Sequence, residues 1–237
     1  MIKIILRKLL GQHYNSLVKI YWLTTSYTYP IFFRQKPVLI YAGINVGDSF
    51  QKIFYKYKRV IGFEPNPLNF EKLRRFNFRK GVEIYNYALS KKDGEADLHL
   101  PMDINNEASA SLSDFSKGYQ FSTKKIIKVK TVNPSKFLKK RKINHIDFYI
   151  SDIEGYDFTI LKLMKKDYLD FNLIKKIQVE AVNNKVNNPY KSVSNYESDF
   201  DSLLLDKYTK KGRGSGFVNE GDDFSGNTLD ILYELKP

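Results

Sequence analysis

The chain has 237 residues, 42% hydrophobic and 15% aromatic, which suffices for one sizeable core and is short for two full domains. It contains no cysteine, so a disulfide framework, a thiolate metal site and a cysteine nucleophile are excluded, and a cytoplasmic location is expected. The formal charge of +13 invites a polyanionic partner, but the 39 basic residues are 31 lysines and 8 arginines with no Arg-rich run, which disfavours nucleic acid.

Residues 1–36 carry six Lys or Arg and no Asp or Glu. Ile2, Ile5, Leu6, Leu9, His13, Leu17 and Ile20 fall at helical spacing, with Lys3, Arg7 and Lys8 largely off that stripe. This reads as a basic amphipathic appendage to a domain spanning 37–237. Arg7 and Lys8 interrupt the apolar run, which argues against a signal peptide, and Lys19 and Pro30 break up Leu17 to Phe33 as a membrane span. Packing on the domain is expected, with peripheral attachment to an anionic membrane as the alternative.

From Pro37 onward short apolar runs alternate with helical patterns, the mark of a mainly parallel sheet covered by helices. Strands are expected at Val38 to Tyr41, Arg59 to Glu64, Val82 to Leu89, Ala96 to Leu100, Ile126 to Val132, Ile146 to Asp152, Ile174 to Ala181 and Thr228 to Leu235. Helices are expected at Ser49 to Tyr57, after the Asn66-Pro67 and Asn133-Pro134 caps, from Tyr156 to about Lys166, and from Tyr196 to Leu205. Gly212 to Gly226 reads as a mobile loop.

Gly43-Ile44-Asn45-Val46-Gly47 lies between a strand and a helix, where glycine lets backbone approach a ligand. The second strand ends at Glu64, where Rossmann-like proteins hold ribose hydroxyls. A nicotinamide cofactor is disfavoured: counting from Gly43, the second and third glycines of its fingerprint are Asn45 and Asp48. S-adenosylmethionine, which lacks a pyrophosphate, suits the pattern better. Asp152 and Glu154 follow another strand and Glu180 ends the next, so three carboxylates converge on the carboxyl edge of the sheet. His13, His99 and His145 fall away from that edge, so Asp152 is the first choice for general base, supported by Glu154 and Glu180. The same carboxylates could instead hold a divalent cation, but their spacing does not decide it and no metal site is assigned.

Gly43 to Gly47, Gly62-Phe63-Glu64-Pro65-Asn66-Pro67, Asn86-Tyr87-Ala88-Leu89-Ser90 and Asp147 to Tyr156, in that order, resemble the FkbM family of S-adenosylmethionine-dependent O-methyltransferases. The resemblance implies an α/β, Rossmann-like class I fold with helices on both faces of the sheet. It further implies that Gly43, Asn45 and Gly47 line the methionine end of the cofactor, Glu64 holds the ribose and Asn86 and Ala88 border the adenine, with Asn66 counted among the cofactor-binding residues. Ser109 and Ser111 match a serine-rich stretch near the cofactor. The family usually has Asp at position 41 and Lys at position 150; this chain has Tyr41 and Ile150. The implied acceptor is a hydroxyl of a sugar, a glycan or another small polar molecule, with Tyr149 and Tyr156 suited to stacking on a sugar ring. The alternatives are a catalytically weakened relative that binds the nucleoside and an RNA methyltransferase.

Overall fold

The computed structural model describes residues 37–76, 79–101, 110–115 and 123–237. The basic appendage and Ser109 lie outside the described residues.

The strands of the main sheet are β1 (Val38–Ala42), β2 (Arg59–Phe63), β3 (Val82–Tyr85), β7 (Ile146–Ser151), β8 (Ile174–Val182), β9 (Tyr208–Gly214) and β10 (Thr228–Leu235). They lie in the spatial order β3-β2-β1-β7-β8-β10-β9. All neighbouring pairs are parallel except the two that β10 makes. This is the Rossmann-like arrangement that the sequence resemblance implies, with β10 as its antiparallel strand. Central β1 is buried at every position, as expected of a parallel strand covered on both faces, whereas edge strand β3 alternates. Strand alternation sends Ile40, Tyr149, Ile177 and Val179 into one core and Leu39, Tyr41, Phe148 and Ile150 into the other.

Each Asn-Pro step starts a helix. Asn66 caps Pro67–Leu73 (α1) by accepting from the Leu68 N–H at 3.1 Å, and Asn133 caps Pro134–Lys140 (α2) by accepting from the Lys136 N–H at 3.1 Å. Asp157–Leu163 (α3) is shorter than the pattern suggests and runs into a π turn at Lys165–Leu169, which carries Tyr168 and Leu169 into the core. Glu197–Leu204 forms α4.

Three sequence expectations are corrected. Ser49 to Tyr57 is not one helix but two 3-10 turns, Phe50–Lys52 and Phe54–Lys56, separated by Ile53 at φ −130°. They fit Phe50 and Phe54 into a ring cluster with Phe76, at centroid separations of 5.2 to 5.3 Å. Val82 to Leu89 is not one strand, because β3 ends at Tyr85 and Ala88–Leu89 (β4) joins a second, three-stranded sheet. That sheet has the order β4-β6-β5, with β5 at Gly94–Pro101 and β6 at Thr123–Val132. Finally, the expected loop at Gly212 begins inside β9, an edge strand whose Lys, Arg and Gly residues hide it from a pattern search. The segment after β9 is tied down. The Gly216 N–H donates to Asp230 at 2.6 Å and the Val218 N–H to Gln178 at 3.1 Å.

Candidate active site

The strand order reverses between β1 and β7, and ligands of open α/β sheets bind beyond the carboxyl ends of the strands at such a point. A cleft with about 700 Å³ of open space lies there. Gly43, Asn45, Glu64, Ala88, Asp152 and Glu154, six of the residues singled out from sequence, line it. Its remaining wall is largely apolar: Phe63, Leu89, Leu98 and Leu112, with Tyr87 and Tyr156 adding aromatic faces.

Gly43 makes the floor possible. Its φ is +78°, its N–H donates to the Phe63 carbonyl at 3.0 Å, and a Cβ there would lie 1.8 Å from the Asp152 carbonyl oxygen. Glu64 is 5% exposed, and its carboxylate is held by two backbone amides: Asn45 N–H donates to Oε2 at 2.7 Å and Asn66 N–H to Oε1 at 2.9 Å. Each oxygen keeps a lone pair for an incoming hydroxyl. Burial pushes the Glu64 carboxyl up to about 7, against the pull of those two amides. Glu64→Gln keeps the volume but turns an NH₂ toward one of the two amides. S-adenosylhomocysteine affinity in calorimetry is expected to fall by about 1.5 to 3 kcal/mol, and an unchanged affinity overturns a ribose role for Glu64.

Gly47, Asn66, Asn86, Ser111 and Glu180 do not line the cleft. Gly47 packs against Leu73 and Phe76, where a Cβ would come within 2.7 to 2.9 Å. Asn66 serves the α1 cap, and the Asn86 side chain donates to the carbonyls of Glu64 and Pro65, both at 2.8 Å, so it fixes the turn that carries Glu64. Ser111 Oγ donates to the Glu154 carbonyl at 2.5 Å. Tyr149, expected to stack on an acceptor, is fully buried in the core and unavailable; Tyr156 lines the cleft. Tyr87, absent from the sequence candidates, lines it too, because β4 turns the Asn86-Tyr87-Ala88 segment inward.

Asp152, Glu154 and Glu180 converge, with one oxygen of each within 4.8 Å of the others. Asp152 stands on the cleft wall, accessible to solvent yet surrounded by protein, and this crowding raises its carboxyl to about 6. Glu180 is pushed well above the usual carboxylate range, first by burial and then by the charges of Glu154 and Asp152. Asp157, fully buried behind them, accepts from Ser151 Oγ at 2.5 Å and from the Ile153 N–H at 3.2 Å; burial raises it to about 7. Asp230 also reaches about 7 through burial.

Because these carboxyls hold protons more tightly folded than unfolded, their contribution to stability is present at low pH. It is lost as pH rises through about 7. Lowering pH from 8 to 6 should stabilise the ligand-free protein by about 1 kcal/mol for each such group. A melting temperature that falls over this interval contradicts the expected direction.

The two departures from the family pattern are neighbours. Tyr41 and Ile150 are register partners on β1 and β7, both buried in the same core, and Tyr41 packs edge-on to Phe50 with centroids 5.6 Å apart. An Asp and a Lys at these positions would lie side by side, so the paired change replaces two charges with an apolar contact and leaves neither buried alone.

Residues 42–206 match the methyltransferase FkbM domain. The chain belongs to the FkbM methyltransferase family. No curated protein matches it in sequence. Among solved structures, the N-methyltransferase NodS from Bradyrhizobium japonicum WM9 aligns at 9% identity and TM-score 0.47, over 96% of this chain and 99% of that one. Magnesium protoporphyrin IX methyltransferase (ChlM) from Synechocystis PCC 6803 with bound SAM aligns at 8% identity and TM-score 0.43, over 96% of this chain and 81% of that one. TrmK from M. capricolum, in complex with S-adenosylhomocysteine, aligns at 11% identity and TM-score 0.43, over 91% and 68%. Likenesses this distant do not bear on the acceptor. Among the described residues no helix is long and apolar enough to cross a membrane.

Proposed function

We propose that this FkbM-family methyltransferase transfers a methyl group from S-adenosylmethionine to a hydroxyl of a sugar, a glycan or another small polar acceptor. The observation that carries the reading is that one cleft at the switch point is lined by the amide-held Glu64 together with Asp152 and Glu154. The donor set fits the cofactor. Glu64 would take the ribose hydroxyls, the Gly43 turn with Asn45 the amino-acid end, and Ala88, Leu89 and Leu98 the adenine.

When bound, S-adenosylmethionine supplies an electrophilic sulfonium methyl group, open to in-line attack by the acceptor oxygen. The chain's part is then alignment, exclusion of water and removal of one proton. Asp152 Oδ takes the acceptor's hydroxyl proton, and Glu154 anchors a neighbouring hydroxyl. Tyr87 and Tyr156 offer flat apolar faces to a sugar ring. Neither described histidine competes for the base role: His145 is at the opposite edge, 3.4 Å from Asp147, and His99, 3.8 Å from Asp114, does not line the cleft.

A cation-assisted version has support in the compact grouping of Asp152, Glu154 and Glu180. The RNA reading is weakened by Asp152 and Glu154 on the cleft lining, whose negative charge repels a phosphate backbone. The test is transfer of tritium from methyl-labelled S-adenosylmethionine to free hexoses, nucleoside-diphosphate sugars and oligosaccharides, with bulk RNA in parallel. Label in a sugar, stable to base as an ether, supports the reading. Label only in RNA, or no binding of S-adenosylhomocysteine, overturns it.

A further inference from the structure

Tyr190 lies on the loop between β8 and α4, outside every sequence motif that carries the family resemblance, and is 5% exposed. Its hydroxyl donates to Glu154 Oε2 at 2.6 Å and stands 3.5 Å from Glu180 Oε2. One proton cannot satisfy both carboxylates, and the shorter contact assigns it to Glu154. The ring of Tyr190 lies over Gly155, where a Cβ would come within 2.3 Å of it. Gly155 itself has φ +89°, following Glu154 at φ +52°, so the Glu-Gly turn is shaped both to present Glu154 and to admit this ring.

The loop that carries Tyr190 is stitched to the segment 110–115. The Lys191 N–H donates to the Asp114 carbonyl at 2.8 Å, Ser113 Oγ donates to the Lys191 carbonyl at 2.5 Å, and Phe115 and Tyr190 form a bridge. That segment also delivers Ser111 to the Glu154 backbone. Glu154 is thus gripped by its backbone from one side and by its carboxylate from the other.

We propose that Tyr190 is a positioning residue for methyl transfer, holding the Glu154 carboxylate on the cleft lining and apart from that of Glu180. The proposal rests on the reading of this cleft as the methyl-transfer site. Tyr190→Phe removes the hydroxyl and keeps the ring over Gly155. Crystal structures of wild type and variant, each with S-adenosylhomocysteine, should show the Glu154 carboxylate displaced by about 1 Å or more, with melting temperature and S-adenosylhomocysteine affinity unchanged. With the sugar acceptor identified by tritium transfer, kcat should fall about 10-fold to 100-fold while KM for S-adenosylmethionine holds. The double variant with Glu154→Gln should then be no slower than Glu154→Gln alone, because Tyr190 acts through that carboxylate.

A Glu154 side chain that keeps its place in Tyr190→Phe overturns the proposal, as does an additive loss in the double variant. A wild-type protein that fails to bind S-adenosylhomocysteine instead overturns the reading of the cleft, and crystal structures without ligand still judge the contact between Tyr190 and Glu154.

Discussion

Asp152→Asn is expected to lower turnover by about 100-fold to 10,000-fold, or about 3 to 5.5 kcal/mol of barrier, while leaving cofactor affinity and melting temperature nearly unchanged. Asp152 stands at the end of β7 on the cleft wall, and its carboxyl, raised to about 6 by its surroundings, is mostly ionised at neutral pH yet basic enough to accept a proton. Turnover of the wild type should therefore climb from pH 5 to 7 and level off above. The fold does not need the side chain: the backbone N–H of Asp152 donates to the Ala42 carbonyl at 3.1 Å whatever the residue carries. A chelator separates the base from a cation ligand. Loss of wild-type activity in the chelator, restored by Mg²⁺ or Mn²⁺, would assign Asp152 to the cation, and activity indifferent to both would leave it as the base. Full turnover by the Asn variant would remove it from the mechanism.

Gly43→Ala should abolish S-adenosylhomocysteine binding within the reach of calorimetry, a loss of about 100-fold or more, and should cost about 2 to 4 kcal/mol of stability. The new methyl would lie 1.8 Å from the Asp152 carbonyl oxygen and 2.7 Å from its carbon. Both are backbone atoms, and neither can swing aside. On the other flank the Gly43 N–H is tied to Phe63, so relief requires β1 and β7 to part at their carboxyl ends, where the cleft is. The added cost of an Ala at φ +78° acts in the same direction. A variant that binds S-adenosylhomocysteine like wild type would mean that the turn tolerates displacement and that the close approach of the two strands does not shape the site.

Most of the fold is legible because its signals are local. A run such as Val38-Leu39-Ile40 is buried on both faces and admits one reading, and the Asn66-Pro67 and Asn133-Pro134 caps announce their helices within three residues. Local signals fail where a neighbour decides the outcome. The Ser49 to Tyr57 stretch has helical spacing, but fitting Phe50 and Phe54 against Phe76 breaks it into two turns. Strand β9 has no apolar alternation, since it pairs along one edge only. Tyr149 looks available to a ligand, yet alternation along β7 points it into the core, while Asp152, three residues on, lies on the cleft wall.

The candidate site divides in the same way. Membership of the FkbM family, the Gly43 turn, Glu64 at the end of β2 and the three carboxylates are all written along the chain, since each occupies a strand end whose place in a parallel sheet follows from its order. Distances between strands are not written there. Tertiary structure alone decided that the carboxylates of Asp152, Glu154 and Glu180 come within 4.8 Å, that Tyr41 and Ile150 answer one another across β1 and β7, and that Tyr190 reaches back over Gly155. The physical reason is range. Propensity, capping and alternation act within a few residues, whereas a contact spanning 36 residues, such as Tyr190 with Glu154, exists only once the sheet and its loops have closed around it.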